Sequence, residues 1–146
     1  MIYNQSVNIE NRNIEEVINS FHRKDFIRFL ISFQPVKIIK WDGIENNLSA
    51  HLKFWLFKWH TFIVIHKNYK RNEDSLSFVD KGITLPLGIT EWNHLHEVKY
   101  SNNKIVIRDS IKFKHRFYIF EFMLYPILIS PIIMRRFLYK IYFKKI

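Results

Sequence analysis

The chain contains no cysteine in 146 residues, which excludes disulfides, thiolate metal sites and cysteine nucleophiles. Glycine is nearly as scarce, with three residues, and neither the dinucleotide-binding fingerprint nor the P-loop can be written anywhere. Both glycine-rich phosphate cradles are thereby removed. Ser49, Ser110 and Ser130 lack the glycine-flanked elbow of a serine hydrolase. Met1 to Glu10 holds neither a basic stretch nor an apolar run. No secretory signal is expected there, and a cytoplasmic location follows by default. There is no internal repeat and no low-complexity linker, so residues 1–146 are expected to form a single domain.

What is present is apolar and aromatic. Hydrophobic residues make up 48% and aromatics 17%, enough for a substantial core and too much for a disordered tail. Basic side chains outnumber acidic ones by 23 to 13, a formal charge of +10 that favours anionic partners. Nucleic acid is not among the expected partners. Aromatics and lysines do interleave at 55–70 and 137–145, but at spacings that suit core packing, and no DNA- or RNA-binding motif accompanies them.

Hydrophobic periodicity gives an order of elements. Ile2 to Ile9 alternates as a strand, and Asn11 to Asn13 precedes helical spacing at Ile14, Val17, Ile18 and Phe21. A second short helix is expected over Arg23 to Ser32, ended by Gln34-Pro35. Strands follow at 36–41, 48–56, 59–67 and 75–80, with a loop around 82–88. In the stretch from Trp92 to Tyr100, Trp92, His94, His96, Val98 and Tyr100 share one face and Glu91, Asn93, Glu97 and Lys99 the other. Asn102-Asn103 turns this strand into 104–114. Short turns throughout imply an antiparallel sheet, so the fold class is α+β.

The segment 117–134 carries Glu121 as its only charge and approaches the length of a membrane span. Glu121, Pro126 and Pro131 argue against spanning, and both prolines are expected to kink or break the helix. The sheet also needs an element to cover its apolar face. Contact with an anionic membrane surface is expected through Arg135, Arg136, Lys140, Lys144 and Lys145.

Two imidazoles on an inward face suggest a cavity with a partly polar lining, because an unpaired buried polar group costs about 1–3 kcal/mol. Counting back from the Asn102-Asn103 turn sets His96 opposite Asp109, with His94 slightly further along. A carboxylate beside an imidazole supports acid–base chemistry or a structural polar pair. His94, His96 and Asp109 are therefore the catalytic candidates. His-x-His near a carboxylate also has the ligand types for zinc or iron, but nothing else in the chain supports such a site. No metal and no cofactor are expected.

A resemblance completes this reading. Trp59, Phe78-Val79-Asp80, Pro86, Trp92-Asn93-His94-Leu95-His96, Asp109 and the basic run Arg135 to Tyr142 carry it. In these residues the chain resembles the START-like, or SRPBCC, superfamily, and within it the small bacterial ligand-binding, polyketide cyclase-like members. Leu85-Pro86-Leu87 departs from the family's Gly-Pro-Phe, which bears on the shape of the cavity mouth. The resemblance implies a helix-grip fold: a curved antiparallel sheet of about seven strands around a long C-terminal helix, with two short helices after the first strand. It implies a hydrophobic or amphipathic small molecule as partner, held by Leu52, Phe54, Trp59, Phe78, Trp92, His94, His96, Asp109 and Ile111. Three functions remain open: carrier or binding protein, a cyclase, dehydratase or isomerase using a His–Asp pair, and a basic membrane-surface protein.

Overall fold

The computed structural model describes residues 1–145. The elements follow as β1 (Ile2–Ile9), α1 (Ile14–Phe21), α2 (Lys24–Leu30), β2 (Val36–Trp41), β3 (Ser49–Leu56), β4 (Lys58–Arg71), β5 (Ser75–Thr84), β6 (Ile89–Ser101), β7 (Lys104–His115) and α3 (Tyr118–Lys145). One seven-stranded sheet has the order β1-β7-β6-β5-β4-β3-β2, antiparallel at every pairing. The expected α+β helix-grip architecture is the one observed. α3 lies across the concave face, and α1 and α2 close one end.

Local chemistry explains the boundaries. Asn13 caps α1 by accepting a hydrogen bond from the Glu15 amide at 2.8 Å. Asn102 and Asn103 both adopt left-handed backbone angles, as a two-residue hairpin turn requires. That turn sets the β6–β7 register, and His96 stands opposite Asp109 as the sequence count predicts.

Two expectations fail. The turn placed at 68–74 is mostly strand: β4 runs on to Arg71 through a register shift between Lys67 and Lys70, and β5 runs on to Thr84. Pro126 and Pro131 do not break α3, which is continuous over 28 residues. Pro131 cannot donate to the Ile127 carbonyl, but the Ser130 hydroxyl donates to that same oxygen at 3.2 Å. Pro126 leaves the Phe122 carbonyl without its usual helical donor, on a residue that is exposed to solvent.

The apolar interior falls into two groups. Phe21, Phe26, Tyr139 and Phe143 pack with Val98, Ile105 and Ile107 at the α1–α2 end. Trp92, Ile111 and Phe113 pack with Ile129 and Ile132 under the first half of α3. Each fully buried side chain of this size stabilises the fold by about 1.5–3 kcal/mol. Asp109 stands between Ile107 and Ile111, so a polar layer separates the two groups.

Candidate functional site

Between the sheet and α3 lies a cavity of about 640 Å³. Its walls are apolar: Ala50, Leu52 and Phe54 from β3, Phe62 and Val64 from β4, and Ile27 and Leu30 from α2. Polar groups gather deep in the sheet wall, where His66, Asp80, His94 and His96 are contributed by β4, β5 and β6, with Arg135 reaching in from α3. The register explains the gathering, since His66 is opposite Asp80 and Asp80 is opposite His94.

These side chains form one connected layer. Asp109 has 0% exposure and accepts from His94 Nε2 at 2.9 Å, from Gln5 Nε2 at 3.1 Å and from the Tyr139 hydroxyl at 3.2 Å. His96 Nδ1 lies 3.3 Å from Asp109, and an Arg135 terminal nitrogen lies 4.0 Å from it. On its other side His96 donates through Nε2 to Asp80 at 2.9 Å, and His66 Nε2 lies 3.1 Å from the second Asp80 oxygen. His66 is held from behind by its Nδ1, which donates to the Leu48 carbonyl at 2.9 Å. The rings of His94 and His96 have centroids 3.8 Å apart, and His96 stacks on Phe78.

The two histidines are driven in opposite directions. Burial, reinforced by the neighbouring His96 charge, lowers His94 to about 4. An ionised carboxylate only accepts, so neutral His94 keeps its proton on Nε2 for Asp109 and leaves Nδ1 as a free lone pair. Burial also disfavours charge on His96, but the Asp80 carboxylate and bonds to both aspartates outweigh it and raise that imidazole. Burial would raise Asp109, yet bonds from His94 and His96 hold it well below the usual carboxylate range. Asp80 is likewise well below that range: the His96 charge and bonds from His66 and His96 outweigh its burial. Tyr139 is pushed well above 10 by burial and the Asp109 charge and so remains a donor. Burial opposes the Arg135 charge, but Tyr139, Asp109 and Asp80 overcome it and raise that group.

Buried Arg135 Nε has no hydrogen-bond partner within the protein, and Asp80 Oδ1 and His96 Nδ1 are engaged only through the longer contacts to His66 Nε2 at 3.1 Å and to Asp109 at 3.3 Å. Such atoms are costly unless something else engages them. The donor set also suits a cation in principle, because ligand atoms of Asp80, His94 and His96 lie within 4.8 Å of one another.

Of the residues expected to hold a ligand, Leu52, Phe54, Phe78, Trp92, His94 and His96 line the cavity. Asp109 and Ile111 do not reach it; they are fully buried behind the wall, beneath α3. Trp59 is on the opposite face of the sheet, 43% exposed, with the Lys37 ammonium 4.0 Å above its ring. The β3–β4 turn pairs Leu56 with Lys58, which gives Trp59 the outward parity and His60, Phe62 and Val64 the inward one. The expected contact of His96 with Asp109 is present at 3.3 Å, but each of the two has a shorter partner. His94 makes the hydrogen bond to Asp109, and His96 donates to Asp80.

His66 and Gln5 were not singled out by sequence, and Arg135 and Tyr139 entered only as members of the basic C-terminal run and not as site residues. A signal existed for two of them: Gln5 and His66 each interrupt an apolar alternation, Tyr3-Val7-Ile9 and Phe62-Val64 respectively. Arg135 and Tyr139 are one helical turn apart on the gripped side of α3.

No known family pattern and no curated protein sequence matches this chain. Solved structures do match. A norcoclaurine synthase point mutant from Thalictrum flavum, bound to a transition-state analogue, superposes with a TM-score of 0.67 at 12% identity, covering 99% of this chain and 94% of that one. The Thalictrum flavum enzyme in complex with dopamine and hydroxybenzaldehyde gives 0.63 at 14% identity, covering 94% and 83%. Ara h 8.0201 gives 0.56 at 10% identity, covering 100% and 99%. At such identities the likeness speaks for the fold and not for an activity. The chain shares the helix-grip fold of these structures.

Proposed function

We propose that this protein binds an amphipathic small molecule, with its apolar body in the cavity and its polar end against the layer of His66, Asp80, His94, His96 and Arg135. The observation that carries the reading is the segregation of the lining: hydrocarbon and aromatic walls around a single polar floor. Asp80 Oδ1, contacted by His66 alone, and the unpartnered Arg135 Nε add chemistry to it, since an acceptor and a donor in one floor match a hydroxyl or carboxylic acid group. Solved structures of the same fold include one holding dopamine and hydroxybenzaldehyde, which supports small-molecule binding as the general use of the cavity. Native mass spectrometry of protein purified without detergent tests the reading. A discrete non-covalent mass, released on denaturation, is expected. Absence of that mass, together with no saturable uptake of an apolar fluorescent probe, overturns it.

A second reading is enzymatic, and the opposed histidines favour it. His94 offers a neutral lone pair, and His96 holds its proton to higher pH than a free imidazole. One base and one acid set side by side are what a cyclase, dehydratase or isomerase needs to move a proton across a bound molecule. Incubation in heavy water distinguishes the readings. Deuterium entering the carbon skeleton of the extracted ligand with the wild type, and not with His94→Gln, supports catalysis. Equal exchange in both leaves a binding protein.

A further inference from the structure

The register brings one set of strand ends together. Ile2 pairs with Lys112, Ile89 with His115, Leu56 with Lys58, and Val36 with Phe54, so the ends of β1, β7, β6, β3, β4 and β2 share one edge of the sheet. α3 begins there too, two residues beyond β7. This edge carries most of the large apolar side chains the fold leaves in water. Trp55, Phe57 and Ile83 are exposed on the strand side. On the helix side, Tyr118, Ile119, Phe120, Phe122 and Met123 are all exposed.

From these residues we infer that the rim at the start of α3 is a docking surface for a lipid bilayer, and that the cavity mouth opens against it. Three observations select a bilayer over a protein partner. First, at 100° per residue the five exposed helix positions span about 200° of the circumference, and Glu121 is buried in the remaining arc. That arc is wider than the single face a partner helix or a second copy covers, whereas fluid acyl chains reach all of it. Residues 118–123 rise about 9 Å, the 5–10 Å depth of an interfacial insertion. Glu121 does not oppose this, because it is held inside by the Met1 ammonium at 3.5 Å and the His115 amide at 3.1 Å.

Second, the unpaired flanking charges are cations, since Glu91 nearby is held by Lys112 and Lys114. Lys37, Lys58 and Arg116 have no acidic partner among the described residues, and Trp55 and Trp59 stand among them as interfacial aromatics do. Cations around the rim suit anionic headgroups and disfavour pairing of two copies.

Third, Phe57 is 90% exposed and has a left-handed φ of 62°. Seven non-glycine residues take positive φ, and five are asparagines; the exceptions are Phe57 and Leu87. Both belong to connections at this same end of the sheet. A bulky side chain in that conformation is strained, and the aromatic contact Phe57 makes is with Trp55, which is itself exposed, at 6.4 Å between ring centroids. Phe33, Trp55 and Ile127 of the cavity lining belong to the same exposed apolar set, so the pocket is continuous with the rim.

The basic C-terminus lies elsewhere. Lys144 is 26 residues further along α3, about 40 Å from Tyr118, and Arg135 is turned inward to Asp109. The docking surface inferred here is thus at the opposite end of α3 from the basic run in which membrane contact is expected from sequence. Nor does α3 span, since Ile129, Ile132, Leu138 and Tyr139 are gripped by the sheet and its helices.

Flotation with unilamellar phosphatidylcholine–phosphatidylglycerol vesicles tests the inference. The wild type is expected to float at physiological salt, with Phe57→Asn and Ile119→Ser each lowering the partition coefficient about tenfold. Phe57→Asn should leave the melting temperature unchanged or raised, which separates lost docking from lost folding. Ala50→Phe, which fills the cavity, should still float, so failure of docking is distinct from failure of the ligand reading. A wild type that stays in the aqueous phase overturns the inference. So does flotation abolished by Lys144→Gln with Lys145→Gln and untouched by the rim variants. A concentration-dependent dimer that Ile119→Ser dissociates would give the rim to a second copy and overturn it as well.

Discussion

Replacing Asp109 by asparagine keeps the side chain's volume and removes one buried charge. In the native protein that carboxylate receives three hydrogen bonds, from His94, Gln5 and Tyr139, and lies 4.0 Å from Arg135. Asparagine retains one acceptor oxygen and introduces an amino group among donors. Gln5 keeps its second bond, to the Ile132 carbonyl at 2.7 Å, so the loss concentrates on Tyr139, His94 and the guanidinium. Breaking a buried ion pair from one side costs about 3–5 kcal/mol, because the remaining charge stays buried without compensation. For a domain of this size each kcal/mol moves the melting temperature by about 2–4 °C, so Asp109→Asn should lower it by about 6–20 °C. Urea unfolding followed by circular dichroism should show the same loss in midpoint with an unchanged slope. The difference between wild type and variant should also depend on pH. Asp109 has a depressed folded pKa, so its contribution is complete above the unfolded carboxylate value of about 3.9 and fades as pH falls through the folded one. A loss below about 1 kcal/mol at neutral pH, or one that does not shrink in acid, would refute the assignment of Asp109 as an ionised anchor.

Two further outcomes follow from the same geometry. His94, lowered to about 4, withdraws stability as pH falls from about 6.5 to 4, because only the unfolded chain takes up its proton; the span corresponds to about 3 kcal/mol. His96 is raised, so its contribution is complete below about 6.5 and is lost as pH rises through its folded value. Stability should therefore peak in the neighbourhood of pH 6.5, with imidazole NMR resonances titrating on opposite sides of that value; two superimposed titrations would contradict the opposed environments. Ala50→Phe should abolish saturable binding of an apolar fluorescent probe while thermal unfolding remains cooperative, and retained binding would mean that the probe site is elsewhere.

Much of the fold was legible because parity in a strand survives wherever a tight turn fixes the count. Asn102-Asn103 did this for β6 and β7, and the opposition of His96 and Asp109 came from arithmetic alone. The same arithmetic fails across β4 and β5, where register shifts at Ile63/Val64 and Lys67/Lys70 break the count. That failure hid His66 and the inward role of Asp80. Trp59 was placed by resemblance; its own alternation with Thr61 and Ile63 puts it outside. Gln5, His66, Asp80, His94, His96 and Asp109 each interrupt an apolar stripe, and the sheet stacks these interruptions at one level. One strand shows a stray polar residue; only the assembled registers show a layer. The helix contribution was the least accessible, since which side of α3 the sheet grips depends on packing that no local pattern in residues 117–145 specifies.

The strand order has a consequence for how the molecule comes into being. Of the elements described, β1 precedes all the others in the chain, and its partner in the sheet is β7, with Ile2 set against Lys112 and Ile9 against Ile105. At about 5–20 residues per second, ribosomal synthesis separates these partners by roughly 6–20 s. Through that interval the N-terminal strand has an unsatisfied edge, and the sheet lacks the helix that covers its apolar face. Closure by residues far apart in the chain is also slow. The nascent chain therefore folds as a whole once β7 and α3 have emerged, and until then its most hydrophobic strands are available to chaperones or to one another.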